Sequence, residues 1–310
     1  MDATPSVSLP PDAGSGIPRR PPQVLEIGGD SFVWGSRTYV MGILNVTPDS
    51  FSGDGLLAAG ADSVAAAVAA AVAQAHQMAA DGADILDVGG QSTRPGHVAI
   101  PADEEGRRVV PVIRAVRDAL PKMPLSVDTT SAQVAAAALD AGADLVNDIW
   151  GTAAEPALLR LVAGRGVPLV LMHNRAEARY RNVVAEVIAD LARAIDQAVA
   201  AGIAWESLIV DPGIGFGKTA AHNLAVLHDL PALQALARPI LLGASRKSTI
   251  GKVLDLPADQ RVEGTLATTV LGVASYVDIV RVHDVQPNVR AARMADAIVR
   301  GSWRDQEDQS

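Results

Sequence analysis

From about residue 39 onward, apolar runs of four to six residues alternate with longer Ala-rich segments in which apolar positions recur at helical spacing. A short apolar run suits a strand buried on both faces, and a segment of period 3.6 covers such strands with one face. The alternation therefore predicts βαβ units around a parallel sheet. The predicted strands are Tyr39–Leu44, Ile85–Val88, Leu125–Val127, Leu145–Asn147, Leu169–Met172, Leu208–Val210, Ile240–Gly243 and Ile279–Val282, with helices over 61–81, 103–119, 131–141, 155–164, 182–202, 220–237, 261–275 and 286–300. Doubly wound sheets show the same alternation, and the count of eight units selects a (β/α)8 TIM barrel. Upstream, Val24–Trp34 predicts a β-hairpin turning at Gly28–Gly29–Asp30 and lying as a lid over the barrel's N-terminal end. The phrases DGAD at 81–84 and AGAD at 141–144 place a glycine where a helix stops in the left-handed conformation.

A chain of 310 residues, 49% hydrophobic and 20% charged, has the material for one large core. The barrel is expected over 23–303, between a disordered extension at 1–22 and a disordered tail at 304–310. The extension has no uninterrupted apolar run of the signal-peptide kind, and its prolines oppose a helix. The apolar stretch from Ala61 to Ala80 is built from alanine and interrupted by Gln74, His76 and Gln77, too weakly hydrophobic for a bilayer, so no membrane partner is expected. A net charge of -9 argues against a nucleic-acid partner, which needs a basic footprint. Any anionic ligand must be met by local cations. With no cysteine in the chain there is no disulfide framework and no thiol metal site, which fits a reducing cytosol without establishing it.

In a parallel barrel, the residues that follow each strand form the face where such folds carry chemistry. Here they are polar at nearly every strand: Asn45, Asp87 before GGQSTRPG, Asp128, Asn147 with Asp148, His173, Asp211, Ser245–Arg246–Lys247, and Arg281 with His283. Singly, each has a plainer reading: an Asp or Asn caps the next helix, His173 is a satisfied core histidine, and Arg246–Lys247 is a solvated pair. Their recurrence around the ring argues for a shared site. Arg281 and His283 alternate along one strand and so point to one side, where a guanidinium fork and an imidazole donor form an anion clamp. The alternative is a surface pair near Asp284. The segment DPGIGFGKT at 211–219 is not a nucleotide phosphate loop, because Pro212 stands where that motif needs glycine. Its glycines let the backbone approach a ligand, with Phe216 at the tip. Phe51 and Phe216 both fall in glycine-flanked loops, which predicts cover for a flat ligand.

Taken in order, MGILNVTPDSFS at 41–52, GGQSTRPG at 89–96, SVDT at 126–129, VNDI at 146–149, DPGIGFGKT at 211–219, GASRKS at 243–248 and RVHD at 281–284 resemble the successive signature segments of the dihydropteroate synthase family. The resemblance implies condensation of 6-hydroxymethyl-7,8-dihydropterin pyrophosphate with 4-aminobenzoate, giving 7,8-dihydropteroate and pyrophosphate in folate biosynthesis. It implies that Asp128, Asn147, Asp211 and Lys247 hold the pterin, and that Asn45, Arg281 and His283 take the pyrophosphate, with Asn45 also contacting Mg²⁺. Phe51, Thr93, Arg94, Pro95, Phe216, Lys247 and Ser248 would frame the aminobenzoate, whose carboxylate would also meet the N-terminus of the helix after Ser248. Catalysis would fall to Asn45, Asp128, Asp211, Lys247, Arg281 and His283. They would preorganise the reactants and stabilise the leaving group and a cationic pterin intermediate, with no covalent nucleophile. Loops 45–55 and 90–99 would close over the second substrate. A cytoplasmic homodimer and sulfonamide target is implied as well.

The chain departs from the family pattern in two places. Where the family commonly reads SFSDGG, it has Ser50–Phe51–Ser52–Gly53–Asp54–Gly55, and where the family begins GGEST it carries Gln91. Both changes bear on aminobenzoate and sulfonamide handling more than on pterin or anion binding. A catalytically silent pterin-binding paralogue and a methyltetrahydrofolate methyltransferase serving a corrinoid protein stand as alternatives. The methyltransferase would need neither the STRPG loop, nor the lysine of SRK, nor the RVH pair.

Overall fold

Residue parity along the barrel strands separates two cores. The computed structural model describes residues 23–46, 60–90, 100–153 and 155–301. Strands β1 (Gln23–Ile27) and β2 (Asp30–Trp34) pair antiparallel. They are followed by β3 (Tyr39–Asn45), β4 (Ile85–Gly89), β5 (Leu125–Asp128), β6 (Leu145–Asp148), β7 (Leu169–Met172), β8 (Leu208–Asp211), β9 (Leu241–Leu242) and β10 (Ile279–Val282). These eight form one parallel sheet in the order β8-β7-β6-β5-β4-β3-β10-β9, and a parallel bridge between Val210 and Ile240 closes the ring. The described helices are α1 (Gly60–Ala80), α2 (Ala102–Ala119), α3 (Ala132–Asp140), α4 (Pro156–Arg165), α5 (Val183–Ala200), α6 (Ala220–His228), α7 (Ser248–Leu254), α8 (Val262–Ala274) and α9 (Val285–Arg300). The eight-unit barrel and its hairpin are thus as the sequence predicts. The extension and tail expected at 1–22 and 304–310 lie outside the described residues.

Strand side chains alternate between faces. Val40, Leu44, Leu86, Val88, Val127, Val146, Leu169, Leu171, Val210, Leu242, Val280 and Val282 point outward into the larger core beneath the helices. Tyr39, Met41, Ile85, Leu145, Val170, Ile209, Leu241 and Ile279 point inward and fill the lower lumen. The hairpin seals that end: Leu25, Ile27, Phe32 and Trp34 join the same inner cluster. Phe32 and Trp34 lie with ring centroids 4.7 and 5.5 Å from Tyr39, whose hydroxyl accepts from the Val33 N–H at 2.8 Å. The hairpin is therefore a plug as well as a lid, and the lumen is open to chemistry only at its other end.

Gly82 and Gly142 stop α1 and α3 at φ +95° and +111°, as DGAD and AGAD predict. Two elements differ from expectation. The helix expected over 220–237 ends at His228 and continues as a 3-10 turn over Leu230–Leu236, because Pro231 has no N–H to donate. The strand expected over Ile240–Gly243 is reduced to Leu241–Leu242 with a flanking bridge at Ile240, since Gly243 already leaves the sheet toward the Ser245–Lys247 turn.

Candidate active site

The same parity that fills the lower lumen with aliphatic residues fills the upper lumen with polar ones. Two positions beyond Ile85, Leu145, Ile209 and Ile279 stand Asp87, Asn147, Asp211 and Arg281, each one pleat nearer the open end. Arg281 sits between two carboxylates, with Nε donating to Asp87 Oδ2 at 2.6 Å and Nη2 to Asp128 Oδ2 at 2.7 Å. Asn147 Nδ2 donates to the same Asp87 oxygen at 3.0 Å. That bond assigns the amide orientation, so the Asn147 carbonyl oxygen is turned away from Asp87. Asp87 is fully buried, and its Oδ1 has no hydrogen-bond partner among the described residues. Burial pushes the Asp128 carboxyl up to about 7, with Asp87 and Glu105 adding to the shift and Arg281 and Lys247 opposing it. Burial likewise raises Asp211 to about 6, against the N–H of Gly213 and the charges of Lys247 and Arg281.

His283 follows Arg281 on the same side. Ser245 Oγ accepts from the His283 backbone N–H at 3.2 Å and lies 3.0 Å from its Nδ1. The hydroxyl has a second lone pair, so Ser245 holds Nδ1 in either tautomer, donating to it or accepting from it. Burial and the neighbouring charges of Arg281 and Arg246 depress His283 to about 3, which holds the ring neutral. Arg246 does not belong to the cluster: it takes a left-handed φ of +55° and pairs with Asp284, its Nε donating at 2.9 Å. That turn presents Lys247 instead. Its ammonium lies 4.0 Å from the Phe216 ring centroid, and its stem crosses Gly215, where a Cβ would stand 3.0 Å from Lys247 Cδ. Asn45 ends β3 in register with Gly89, and exposed Ser248 begins α7.

Two of the strand-end residues face elsewhere. His173 follows inward Met172 and points outward, with Nε2 3.1 Å from Asp190 Oδ2 of α5 and Nδ1 2.7 Å from Lys218 Nζ. Burial and the Lys218 charge lower it to about 4. It is thus a satisfied core histidine, the plainer of the two sequence readings. Asp148 also points away from the lumen. Its Oδ1 accepts from Trp150 N at 2.9 Å, its Oδ2 is buried without a described partner, and burial pushes it up to about 7.

Sequence reasoning gave Asp87 and Ser245 no ligand role, although each fixes the orientation of a residue that had one. The signal for Asp87 was its parity with Ile85. For Ser245 the sequence offered only its place in the small-residue run. Phe51, Thr93, Arg94 and Pro95, and the departures at Gly53, Asp54 and Gln91, lie outside the described residues, as does most of the two loops expected to close. Among the described residues, no cluster of three His, Cys, Asp or Glu could hold a metal ion on its own, and no helix is long and apolar enough to cross a membrane.

Residues 41–283 match the profile of the family described as pterin binding enzyme. The chain is 47% identical over 277 residues to the dihydropteroate synthase of Clostridium beijerinckii, covering 89% of this chain and 100% of that one. It is similar to the crystal structure of dihydropteroate synthase from Clostridium difficile in the presence of pteroic acid, at 45% identity and a TM-score of 0.80, over 86% of this chain and 98% of that one. It is also similar to the Xanthomonas albilineans dihydropteroate synthase with 4-aminobenzoic acid, at 42% identity and a TM-score of 0.82, over 90% and 98%. A barrel lined at its open end by paired carboxylates, an amide and an arginine, and matched across nearly the whole length of these relatives, belongs to the pterin-binding enzyme family.

Proposed function

We propose that the protein is a dihydropteroate synthase, joining the methylene carbon of 6-hydroxymethyl-7,8-dihydropterin pyrophosphate to the amine of 4-aminobenzoate. The observation that carries this reading is the upper lumen, where Asp128, Asn147 and Asp211 offer acceptors beside two cations, Arg281 and Lys247. An aminopyrimidinone edge presents adjacent N–H donors, which carboxylates accept in pairs, and a lysine donates to its ring carbonyl.

Arg281 and His283 lie on one side of the barrel mouth; the guanidinium suits the departing pyrophosphate, and His283 adds a donor in its Nε2–H tautomer. The carbon–oxygen bond to pyrophosphate breaks, the amine nitrogen bonds the methylene carbon, and the amine gives up a proton to water. Positive charge developing on the pterin is met by buried Asp128 and Asp211, so the rate gain comes from fixed charge and orientation. Phe216, Lys247 and Ser248 form the described part of the aminobenzoate wall, where sulfonamides would compete. Mg²⁺ fits the donor set as an ion held mainly by pyrophosphate with waters retained, Asn45 supplying one neutral oxygen. When bound, it would offset charge on the leaving group.

The lysine on Phe216 and the RVH pair, which a corrinoid methyltransferase has no need of, weigh against that alternative. A homodimer is part of the reading. Exposed Val253 and Leu254 of α7, Val270 and Leu271 of α8, and Met294 and Ile298 of α9 lie on helices packed in sequence, α7 against α8 and α8 against α9. A cytoplasmic location rests on the resemblance alone. The deciding assay supplies the dihydropterin pyrophosphate and Mg²⁺ with and without 4-aminobenzoate. Formation of dihydropteroate with matching pyrophosphate release is expected. Pterin binding without product would instead identify a silent paralogue.

A further inference from the structure

The glycine-rich loop after β8 is tied down at every turn, and one tie has no part in the chemistry above. Gly213, Gly215 and Gly217 all take positive φ, +68°, +87° and +53°. A Cβ on Gly213 would stand 1.9 Å from the His173 carbonyl oxygen, and one on Gly217 would stand 2.2 Å from that of Arg175. The loop therefore lies backbone against backbone on the segment leaving β7. Gly213 N–H donates to Asp211 Oδ1 at 2.7 Å, Gly215 N–H to Asn223 Oδ1 at 2.9 Å, and the Tyr180 hydroxyl to Gly217 O at 2.9 Å.

Lys218 closes this set from beneath. Its Nζ lies 3.0 Å from Gly213 O, 3.1 Å from Phe216 O and 2.7 Å from His173 Nδ1; burial lowers the group to about 7, and in its protonated form three N–H donors meet three acceptors. His173 can accept because Asp190 takes the proton on its other nitrogen, at 3.1 Å, and because burial holds the ring neutral. The two carbonyls gripped by Lys218 bracket the turn that carries Phe216, and the Phe216 ring is the surface on which Lys247 lies. Without the ammonium, the Phe216 carbonyl and the imidazole nitrogen would lose this donor, and Gly213 O would keep only the Phe216 N–H, at 3.1 Å.

We propose that Lys218, held by His173 and Asp190, is a positioning residue for the aminobenzoate wall: it sets the Gly213–Phe216 turn and thereby the place of Phe216 over Lys247. The proposal rests on the dihydropteroate synthase reading for its kinetic consequence, but not for its structural one.

The test is a double-mutant cycle of Lys218→Met and Phe216→Ala, read by steady-state kinetics, pterin binding and amide hydrogen exchange on the full chain. Lys218→Met is expected to raise KM for 4-aminobenzoate by about tenfold, because small misplacement of a binding group is costly. Pterin affinity should fall by less than the aminobenzoate KM rises, since Asp128 and Asn147 are untouched and Asp211 is reached only through the Gly213 N–H. In the Phe216→Ala background the lysine substitution should add little, because the residue it places is gone. Amides of 213–217 should lose protection while those of β3 to β7 keep theirs. Full additivity of the two KM effects, or unchanged exchange at 213–217, would overturn the proposal. Wild-type protein that makes no dihydropteroate overturns the function instead, and the exchange measurement still decides the role of Lys218.

Discussion

Arg281 donates through Nε to Asp87 at 2.6 Å, tying the strand that carries the expected pyrophosphate clamp to β4, one strand beyond its immediate neighbour β3. The same Asp87 oxygen receives the Asn147 amide, so one buried carboxylate orients residues from two strands, β6 and β10. Arg281 consequently lies between two acids, and in the proposed reaction pyrophosphate would compete with Asp87 and Asp128 for its guanidinium.

Asp87→Asn keeps the shape but removes the charge that holds both partners. Breaking one side of a buried, hydrogen-bonded ion pair costs about 3–5 kcal/mol, and Asp128 remains as a second anion, so the loss should fall at the lower end. We expect kcat/KM to drop by about 10², as catalytic groups lose their alignment. Retention of wild-type kcat/KM would show that Asp87 orients nothing the reaction uses.

Pterin binding should strengthen as pH rises. Asp128 is raised to about 7 and Asp211 to about 6, and only the ionised forms accept both N–H donors of the ring edge. Calorimetric titration with a pterin should give about tenfold tighter binding at pH 8 than at pH 6. Arg281→Ala removes a charge that lowers Asp128, so its profile should shift to higher pH, with turnover crippled and binding at pH 8.5 largely kept. A pH-independent affinity would remove the two carboxylates from the pterin site.

Asp148 offers a stability test away from the chemistry. Its folded-state carboxyl sits at about 7, above the 3.8 of a free aspartate, so the folded state holds the proton more tightly. Its contribution is therefore fully present below pH 4 and is lost as pH rises through about 7. Asp148→Asn keeps an acceptor for the Trp150 N–H and has no charge to bury. The difference in Tm between variant and wild type should be small near pH 4, should grow in the variant's favour between about pH 4 and 7, and should stand at several degrees at pH 8.5. A pH-independent difference would contradict the buried, unpaired carboxylate.

Trp34→Ala should loosen the plug without touching the mouth. The side chain is 3% exposed and packs on Tyr39, and removing such a ring costs about 3–5 kcal/mol. For a chain of this size that corresponds to a Tm loss of roughly 10 °C, with KM values near wild type at low temperature. A large KM change with little loss of Tm would show the two ends of the lumen to be coupled.

If the apolar stripe over α7 to α9 is a dimer face, Leu271→Glu should leave a monomer by light scattering at micromolar concentration, since Leu271 is 59% exposed. A wild-type monomer under the same conditions would remove the homodimer.

The periodic part of the molecule is legible in the amino-acid chain alone. Alternation of period two and period 3.6 requires only neighbours along the chain, so the eight strands, the glycine stops and the identity of most strand-end residues were legible before any fold was known. Parity even placed Arg281 and His283 on one side. Which residues meet depends on closure of the ring. Arg281 and Asp87 stand 194 positions apart, and Lys218 and His173 stand 45 apart. Neither distance carries a local signal, because the partner is set by closure of the ring. Parity also left His173 outside the lumen despite its place after a strand, and a left-handed turn at Arg246 chose Lys247 over its neighbour. Local pattern specifies which side a residue faces, whereas its charge state and its bonds follow from burial among residues that only the closed barrel brings together.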